Sequence, residues 1–330
     1  MATIKEIATK SGFSQATVSR VLNNDSNLSV TSATRNKIME VASELGYWET
    51  HKKQQNNNFT VGFLYQVSGK EQLEDAYFAS LKEKIIEVAG KENINLVEVD
   101  SIDELINKSS KLQGFIAVDE EKIVPCQLKQ LSVVLPNGVF IDSSPMPTLF
   151  DSVKPNLVLT VRDAVRRMLG AGFKSIGFIG ANKPDYDKSQ PEDIRATIFK
   201  EEMALHPEVK SSSLVDGVFS VKNGYQLGKK MLEEPLPEGI IIASDTLSVG
   251  VLQAFNEQKI SIPGDTQILS INNLGIANYV SPPLSSYNVD QETLSKMALI
   301  LLKDAIMNQN RAKVQMDVNT NLITRKSFIY

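Results

Sequence analysis

The chain has 330 residues, of which 42% are hydrophobic and 22% charged, with a formal net charge of −4; this is the balance of a soluble globular protein with more chain than one small domain needs. No run approaches the roughly 20 apolar residues of a membrane span, and the N-terminus lacks the apolar core of a secretion signal, so a cytoplasmic protein with no membrane partner is expected. A single cysteine, Cys126, excludes an intramolecular disulfide, and with only His51 and His206 beside it no metal site and no cofactor are expected.

The first elements read as short helices. Thr3 followed three residues later by Glu6 is a capping box, in which the hydroxyl takes the amide of residue 6 and the carboxylate reaches back to residue 3. Ile4, Ile7 and Ala8 recur at helical spacing, and Gly12 supplies the left-handed residue that ends such a helix. Ser14 caps a second helix, where Val18, Val21 and Leu22 face inward while Gln15, Ala16, Thr17, Ser19, Arg20 and Asn23 face out or lie at the rim. A third helix opens near Ser32, carries Ile38, Val41, Ala42 and Leu45, and stops at Gly46. Two short helices about a glycine turn, the second presenting small hydrogen-bonding side chains and an Arg, form a helix-turn-helix. A merely packing hairpin would show the Glu and Lys mixture of a solvated face instead. These side chains suit base edges and phosphates of double-stranded DNA.

Residues 1–58 hold seven Lys or Arg against five acids, a net +2 that leaves −6 for the remainder. The asymmetry has the sign a DNA-binding head requires but is small, which argues for two heads acting together in a homodimer. Residues 49–58, ETHKKQQNNN, contain no apolar side chain and read as a linker. From Phe59 onward apolar runs alternate with amphipathic stretches. Strands are predicted at Thr60–Tyr65, Leu96–Val99, Gly114–Val118, Val139–Ile141, Ser175–Ile179, Gly239–Ala243, Ile268–Ile271 and Leu284–Tyr287. Helices are predicted at Phe78–Glu92, Val161–Ala171, Val221–Leu232 and Leu247–Gln258. Repeated β then α predicts parallel sheets with right-handed crossovers, and about 270 residues of it exceeds one sheet, so two similar α/β subdomains are expected.

The segments TIKEIATKSGFSQATVSRVLN and VTSATRNKIMEVASELGY resemble the amino-terminal signature of the lactose and galactose repressor family of bacterial transcription regulators. AYFASLKEKI, GAGFKSIGFIG, DIRATIF, IIASDTLSVGVLQAFNEQKISIPGDTQILSINN, SPPLSSYNVD and LITRKSFIY carry the resemblance through the body. It implies an α/β protein with an N-terminal three-helix helix-turn-helix domain (1–48), a linker (49–58) and a periplasmic-binding-protein-like body of two doubly wound parallel-sheet subdomains (59–330). The first lobe would comprise 59–155 with part of 290–330, and the second 156–289 with the C-terminal strand. The resemblance makes Gln15 and Ala16 the principal base readers, supported by Ser14, Thr17, Ser19, Arg20 and Asn23, with Thr3, Thr31 and Thr34 near phosphates. The linker departs from the family's pattern: the Leu that wedges into the minor groove is absent. The leucine heptad tail of tetrameric members is absent too, which favours a dimer.

In open α/β sheets ligands bind beyond the carboxyl ends of the strands. Ser244, Asp245 and Asn272 fall at such places, and Arg195 lies in the helix after Ser175–Ile179. A sugar needs planar polar groups for adjacent hydroxyls and an aromatic face for the apolar side of its ring. Arg195, Asn272 and Asn156 could supply the first, and Phe219, Phe78 and Tyr77 the second. Competing roles stand beside these: Asp245 as a helix cap, Tyr77 and Phe78 as core. The family match places Phe219 and Arg195 against the sugar.

The function expected is repression of a sugar-utilisation operon under a small sugar effector, with galactose or a galactoside favoured by the likeness of LNNDSNLSVT and SINNLGIANYVSPPLS to galactose-operon and β-galactosidase-operon repressors. The alternative is a regulator of the same architecture controlled by a phosphorylated sugar, a nucleobase or a protein partner. An enzyme is not expected: neither G-x-G-x-x-G after the first strand nor G-x-x-x-x-G-K-[ST] occurs, and no nucleophile and base pair stands out.

Overall fold

The computed structural model describes residues 3–22, 28, 30–47, 59–67, 75–118, 124–182, 192–308 and 311–330. Asn23 and the linker 49–58 lie outside the described residues. Two compact units divide the chain, Met1–Asn58 and Phe59–Tyr330.

The head begins with α1 (Ile4–Ser11), α2 (Gln15–Leu22) and α3 (Ser32–Glu44). Thr3 starts α1 as the spacing predicts: its Oγ1 accepts the Glu6 amide at 3.2 Å, and the Glu6 carboxylate accepts the Thr3 amide at 2.7 Å. Gly12, at φ 80°, ends it. Ser14 and Thr31 take the amides of Thr17 (3.1 Å) and Thr34 (3.2 Å), each cap contributing about 1 kcal/mol to helices too short to persist alone. Ile7, Ala8, Val18, Val21, Ile38, Val41, Ala42 and Tyr47 then close one small core.

The body contains β1 (Thr60–Tyr65), α4 (Ala76–Lys91), β2 (Asn95–Val99), α5 (Ile102–Lys108), β3 (Gly114–Val118), α6 (Pro125–Val134), β4 (Gly138–Ile141), β5 (Asp151–Pro155), α7 (Leu157–Gly170), β6 (Ser175–Gly180), α8 (Ile194–Ala204), β7 (Lys210–Val215) and α9 (Val221–Met231). It continues with β8 (Gly239–Ile242), α10 (Asp245–Glu257), β9 (Gln267–Asn272), β10 (Ser285–Asn288), α11 (Gln291–Met307), β11 (Gln315–Val318) and β12 (Asn321–Ile323). The strands form two six-stranded sheets, ordered β11-β5-β4-β3-β1-β2 and β12-β10-β9-β8-β6-β7. Every pairing is parallel except β10 with β12. Fully buried runs such as Gly114–Val118 and Gly239–Ile242 are what sheets covered on both faces require.

Strand order reverses between β1 and β3 in the first sheet and between β6 and β8 in the second, which fixes a crevice beyond the strand ends of each lobe. The chain passes between lobes at Asn156, at Val289–Asp290 and between β11 and β12. The outer two passages are tied together: Asn156 Nδ2 donates to Asn319 Oδ1 at 3.0 Å, and the Thr160 and Thr320 hydroxyls bond at 2.8 Å. In the second lobe α9 and α10 touch backbone to backbone. A Cβ on Gly250 would lie 2.0 Å from the Val221 carbonyl oxygen, and one on Gly224 would lie 2.1 Å from that of Leu247. These two glycines set the spacing of the loop before α9 and the first turn of α10, both of which serve the cleft.

Candidate functional site

On the head, α2 carries the chemistry expected of a reading helix. Val18 and Val21 are buried, while Ser14, Gln15, Ala16 and Arg20 are exposed and Thr17 and Ser19 half-buried. The amide of Gln15 can bond two adjacent atoms of a base edge, the Ala16 methyl suits an apolar contact, and Arg20 a phosphate or guanine. The Thr17 hydroxyl is held by Ser14 Oγ at 2.9 Å, and Thr31 and Thr34 bond at 3.0 Å. Thr3 is engaged with Glu6, whose carboxyl is held below its usual range by the Thr3 amide and hydroxyl.

In the body, α4, α8 and the loop before α9 bring four predicted residues, Tyr77, Phe78, Arg195 and Phe219, to the space between the lobes. Asp75 caps α4 by accepting the Tyr77 amide at 3.1 Å, and the same oxygen accepts the Thr246 hydroxyl of α10 at 2.9 Å, a bond from one lobe to the other. Burial pushes the Asp75 carboxyl up, with the Tyr77 and Thr246 bonds and the Arg195 charge opposing. The Tyr77 hydroxyl donates to Asp142 Oδ1 at 3.1 Å, and its ring meets Phe78 edge-on with centroids 5.2 Å apart. Burial first, then Asp142, raise the Tyr77 pKa well above its ordinary value.

Across the cleft, Asp193 caps α8 and grips Arg195, with Nε to Oδ1 at 2.8 Å and Nη2 to Oδ2 at 2.7 Å. Arg195 Nη1 donates to the Ala243 carbonyl at 2.8 Å, and the guanidinium lies 4.6 Å from the Phe219 ring centroid. Burial works against the Arg195 cation, but Asp193, Asp142 and Asp75 outweigh it and raise its pKa. Asp142 thus links the two lobes electrostatically, bonded to Tyr77 and acting on Arg195.

Two strand-end residues hold left-handed backbones, Asp142 at φ 70° and Asn272 at φ 106°. Such strain persists where surrounding structure enforces it, often at ligand sites. Asn272 is 8% exposed, and its side-chain amide forms no hydrogen bond among the described residues.

Three predicted residues are committed elsewhere. Ser244, fully buried, is the cap of α10 and accepts the Leu247 amide at 3.2 Å. Asp245, also fully buried, neither caps nor faces the cleft: Oδ1 accepts from Ser270 (2.6 Å) and Ser286 (2.7 Å), and Oδ2 from the Leu274 amide (2.6 Å). Burial pushes its pKa up to about 6 against those bonds and Arg325. Asn156 caps α7 through the Leu159 amide at 3.1 Å and spends its Nδ2 on Asn319, so both ends of its amide belong to the passage between lobes. In their place the structure brings Asp75, Asp142, Asp193 and Thr246. Asp142 directly follows the predicted strand Val139–Ile141, so the strand-end rule that selected Ser244 and Asn272 could have found it.

A helix-turn-helix head joined in one chain to a two-lobed α/β body with polar and aromatic groups between the lobes defines a ligand-responsive DNA-binding regulator. The comparisons agree. Residues 3–49 match the model of bacterial regulatory proteins of the lacI family, and residues 165–328 match that of the periplasmic binding protein-like domain. The chain is 48% identical to the HTH-type transcriptional regulator LacR of Lactobacillus helveticus, over 100% of this chain and 99% of that one. It is 39% identical to the HTH-type transcriptional regulator GanR of Bacillus subtilis (strain 168), over 99% of each. Among solved structures, the lac repressor dimer bound to operator and the anti-inducer ONPF covers 99% of this chain and 98% of its own, with a TM-score of 0.65 at 19% identity, which speaks for the fold. The chain belongs to the lacI family of bacterial regulatory proteins. It is a DNA-binding transcription regulator and not an enzyme. Among the described residues no helix is long and apolar enough to cross a membrane.

Proposed function

We propose that this regulator is a cytoplasmic repressor of a sugar-utilisation operon, binding double-stranded operator DNA as a homodimer and switched by a small sugar, galactose or a galactoside, held between its lobes. The observation that carries the reading is the convergence of Asp142, Arg195 and Phe219 between the lobes: an aromatic face for the apolar side of a sugar ring beside planar polar groups for its hydroxyls, with Tyr77, itself 5% exposed and part of the core, holding Asp142. Phe78, packed on Tyr77, and Asn272, with its amide uncommitted, complete the set. Gln15 and Ala16 read bases; Ser14, Thr17, Ser19, Arg20, Asn23, Thr3, Thr31 and Thr34 position the head. A sugar that binds one lobe arrangement better shifts the dimer toward it, and the presentation of the two heads changes accordingly.

The test is thermal stabilisation of the full chain by galactose, lactose, glucose, ribose, fructose, adenine and guanine. A ligand at about 100 times its dissociation constant adds roughly 2.7 kcal/mol. A shift with galactose or lactose that disappears in Arg195→Ala supports the reading. A shift confined to adenine or guanine replaces the sugar with a nucleobase.

A further inference from the structure

The donor, acceptor and charge balance of this cleft narrows the class of sugar it takes, an inference that rests on the cleft being the effector site. A guanidinium grips a phosphate best along one edge, through two parallel N–H bonds. In Arg195 that edge, Nε with Nη2, is taken by Asp193 at 2.8 and 2.7 Å, and Nη1 holds the Ala243 carbonyl at 2.8 Å. The side chain is 12% exposed. Asp142 and Asp75 act on the same guanidinium, so three carboxylates stand around it. An incoming dianion would meet them in a poorly screened space, where like charges repel strongly.

The uncommitted groups at the strand ends point the same way. Gln66, directly after β1, and Asn182, just after β6, follow the strands at the two switch points. Gln66 Oε1, Asn182 Oδ1 and Ser143 Oγ are buried and have no hydrogen-bond partner among the described residues, and Asn182 is only 9% exposed. An amide oxygen accepts, and a sugar hydroxyl can donate to it; an ionised phosphate has no proton to give.

We propose that the cleft takes an uncharged polyhydroxylated ligand, a free sugar and not a sugar phosphate: Gln66, Ser143 and Asn182 receive its hydroxyls, and Asp193 withholds the phosphate-binding edge of Arg195. Desolvating the Gln66 and Asn182 amide oxygens without a donor carries its own penalty, which adds to the repulsion.

The experiment is calorimetric titration of the full-length protein with galactose, lactose, galactose 1-phosphate and galactose 6-phosphate, repeated with Asp193→Asn, which still caps α8 but lowers the charge beside Arg195. The expected result is binding of galactose or lactose, with both phosphates at least 100-fold weaker than the neutral sugar that binds. In Asp193→Asn that gap narrows at least tenfold, with melting by circular dichroism showing the variant folded. A phosphorylated sugar binding as tightly as the neutral one overturns the proposal and leaves the cleft a sugar site. An unchanged gap in folded Asp193→Asn overturns the role given to Asp193. A flat titration with all four ligands overturns the proposal together with the galactoside reading beneath it.

Discussion

The Asp245 carboxyl offers a quantitative test of how the second lobe is held. It is fully buried under the strand ends of β9 and β10, and its pKa is pushed from the usual 3.8 to about 6. A folded-state pKa above the unfolded one means that the native state binds the extra proton. The group's stabilising contribution is therefore complete below the unfolded pKa and is lost as pH rises through about 6. Two pKa units correspond to about 3 kcal/mol, of which roughly 2 to 3 kcal/mol falls between about pH 4 and 7. Asp245→Asn removes the titration while keeping the hydrogen bonds: its Oδ1 can accept the Leu274 amide, and its Nδ2 can donate to the Ser270 and Ser286 hydroxyls, which accept as readily as they donate. The stability of wild type relative to Asp245→Asn, from guanidinium unfolding followed by circular dichroism, should fall by that amount across the window. Asp245→Ala, which strands three donors, should cost about 2–5 kcal/mol at every pH. Parallel pH profiles for wild type and Asp245→Asn would refute the buried, titrating carboxylate.

Gly250→Ala drives a methyl into the Val221 carbonyl of α9, where neither backbone can yield, and should lower stability by about 3 kcal/mol or more, read as a drop in melting temperature of several degrees; an unshifted melt would contradict the close helix contact. Thr246→Val removes the 2.9 Å bond from α10 to Asp75 and leaves a buried carboxylate oxygen short of a donor, for an expected loss of about 1–3 kcal/mol, checked by the same melt. Arg195→Ala should abolish the sugar-induced thermal shift while leaving operator affinity without sugar unchanged, measured by fluorescence anisotropy. Gln15→Ala should alter base preference across an operator library while the slope of log affinity against log salt stays the same; a changed slope with intact preference would make Gln15 a phosphate contact.

The head was legible because its signals are local: Thr3 with Glu6, Gly12 and the Val18–Val21 stripe each specify a cap, a stop or a buried face within one turn. Eight strands of the body were legible for a related reason, since buried parallel strands are short apolar runs. The closing strand was reached through the resemblance of LITRKSFIY, and β5, β7 and β11 were hidden by polarity. β5 begins with Asp151, whose buried carboxylate is met by Arg311 with two bonds, at 3.0 and 2.7 Å, from 160 residues away, and by the Val314 amide at 2.7 Å. β7 lies at a sheet edge with Lys210, Ser211 and Ser212 exposed, and β11, also at an edge, is half-exposed.

The site divides similarly. The family resemblance pointed to Arg195 and Phe219, which the fold brings to 4.6 Å of each other, but the strand-end rule alone could not separate Ser244 and Asp245, which the lobe consumes internally, from Asn272, whose amide stays uncommitted. That distinction depends on Ser270, Ser286 and Leu274, brought to Asp245 by strand pairing. Asp75 and Thr246 meet only because the lobes close on each other, a contact between residues 171 positions apart that no local pattern encodes.

A sugar between the lobes and an operator on the heads must share free energy if this regulator is a sugar switch. The most direct test is operator affinity of the full-length protein, by fluorescence anisotropy at fixed salt, without and with saturating galactose or lactose, paired with sugar affinity with and without saturating operator. Operator affinity should change at least fivefold and, by linkage, sugar affinity by the same factor. Sugar binding that leaves operator affinity unchanged would contradict the sugar switch.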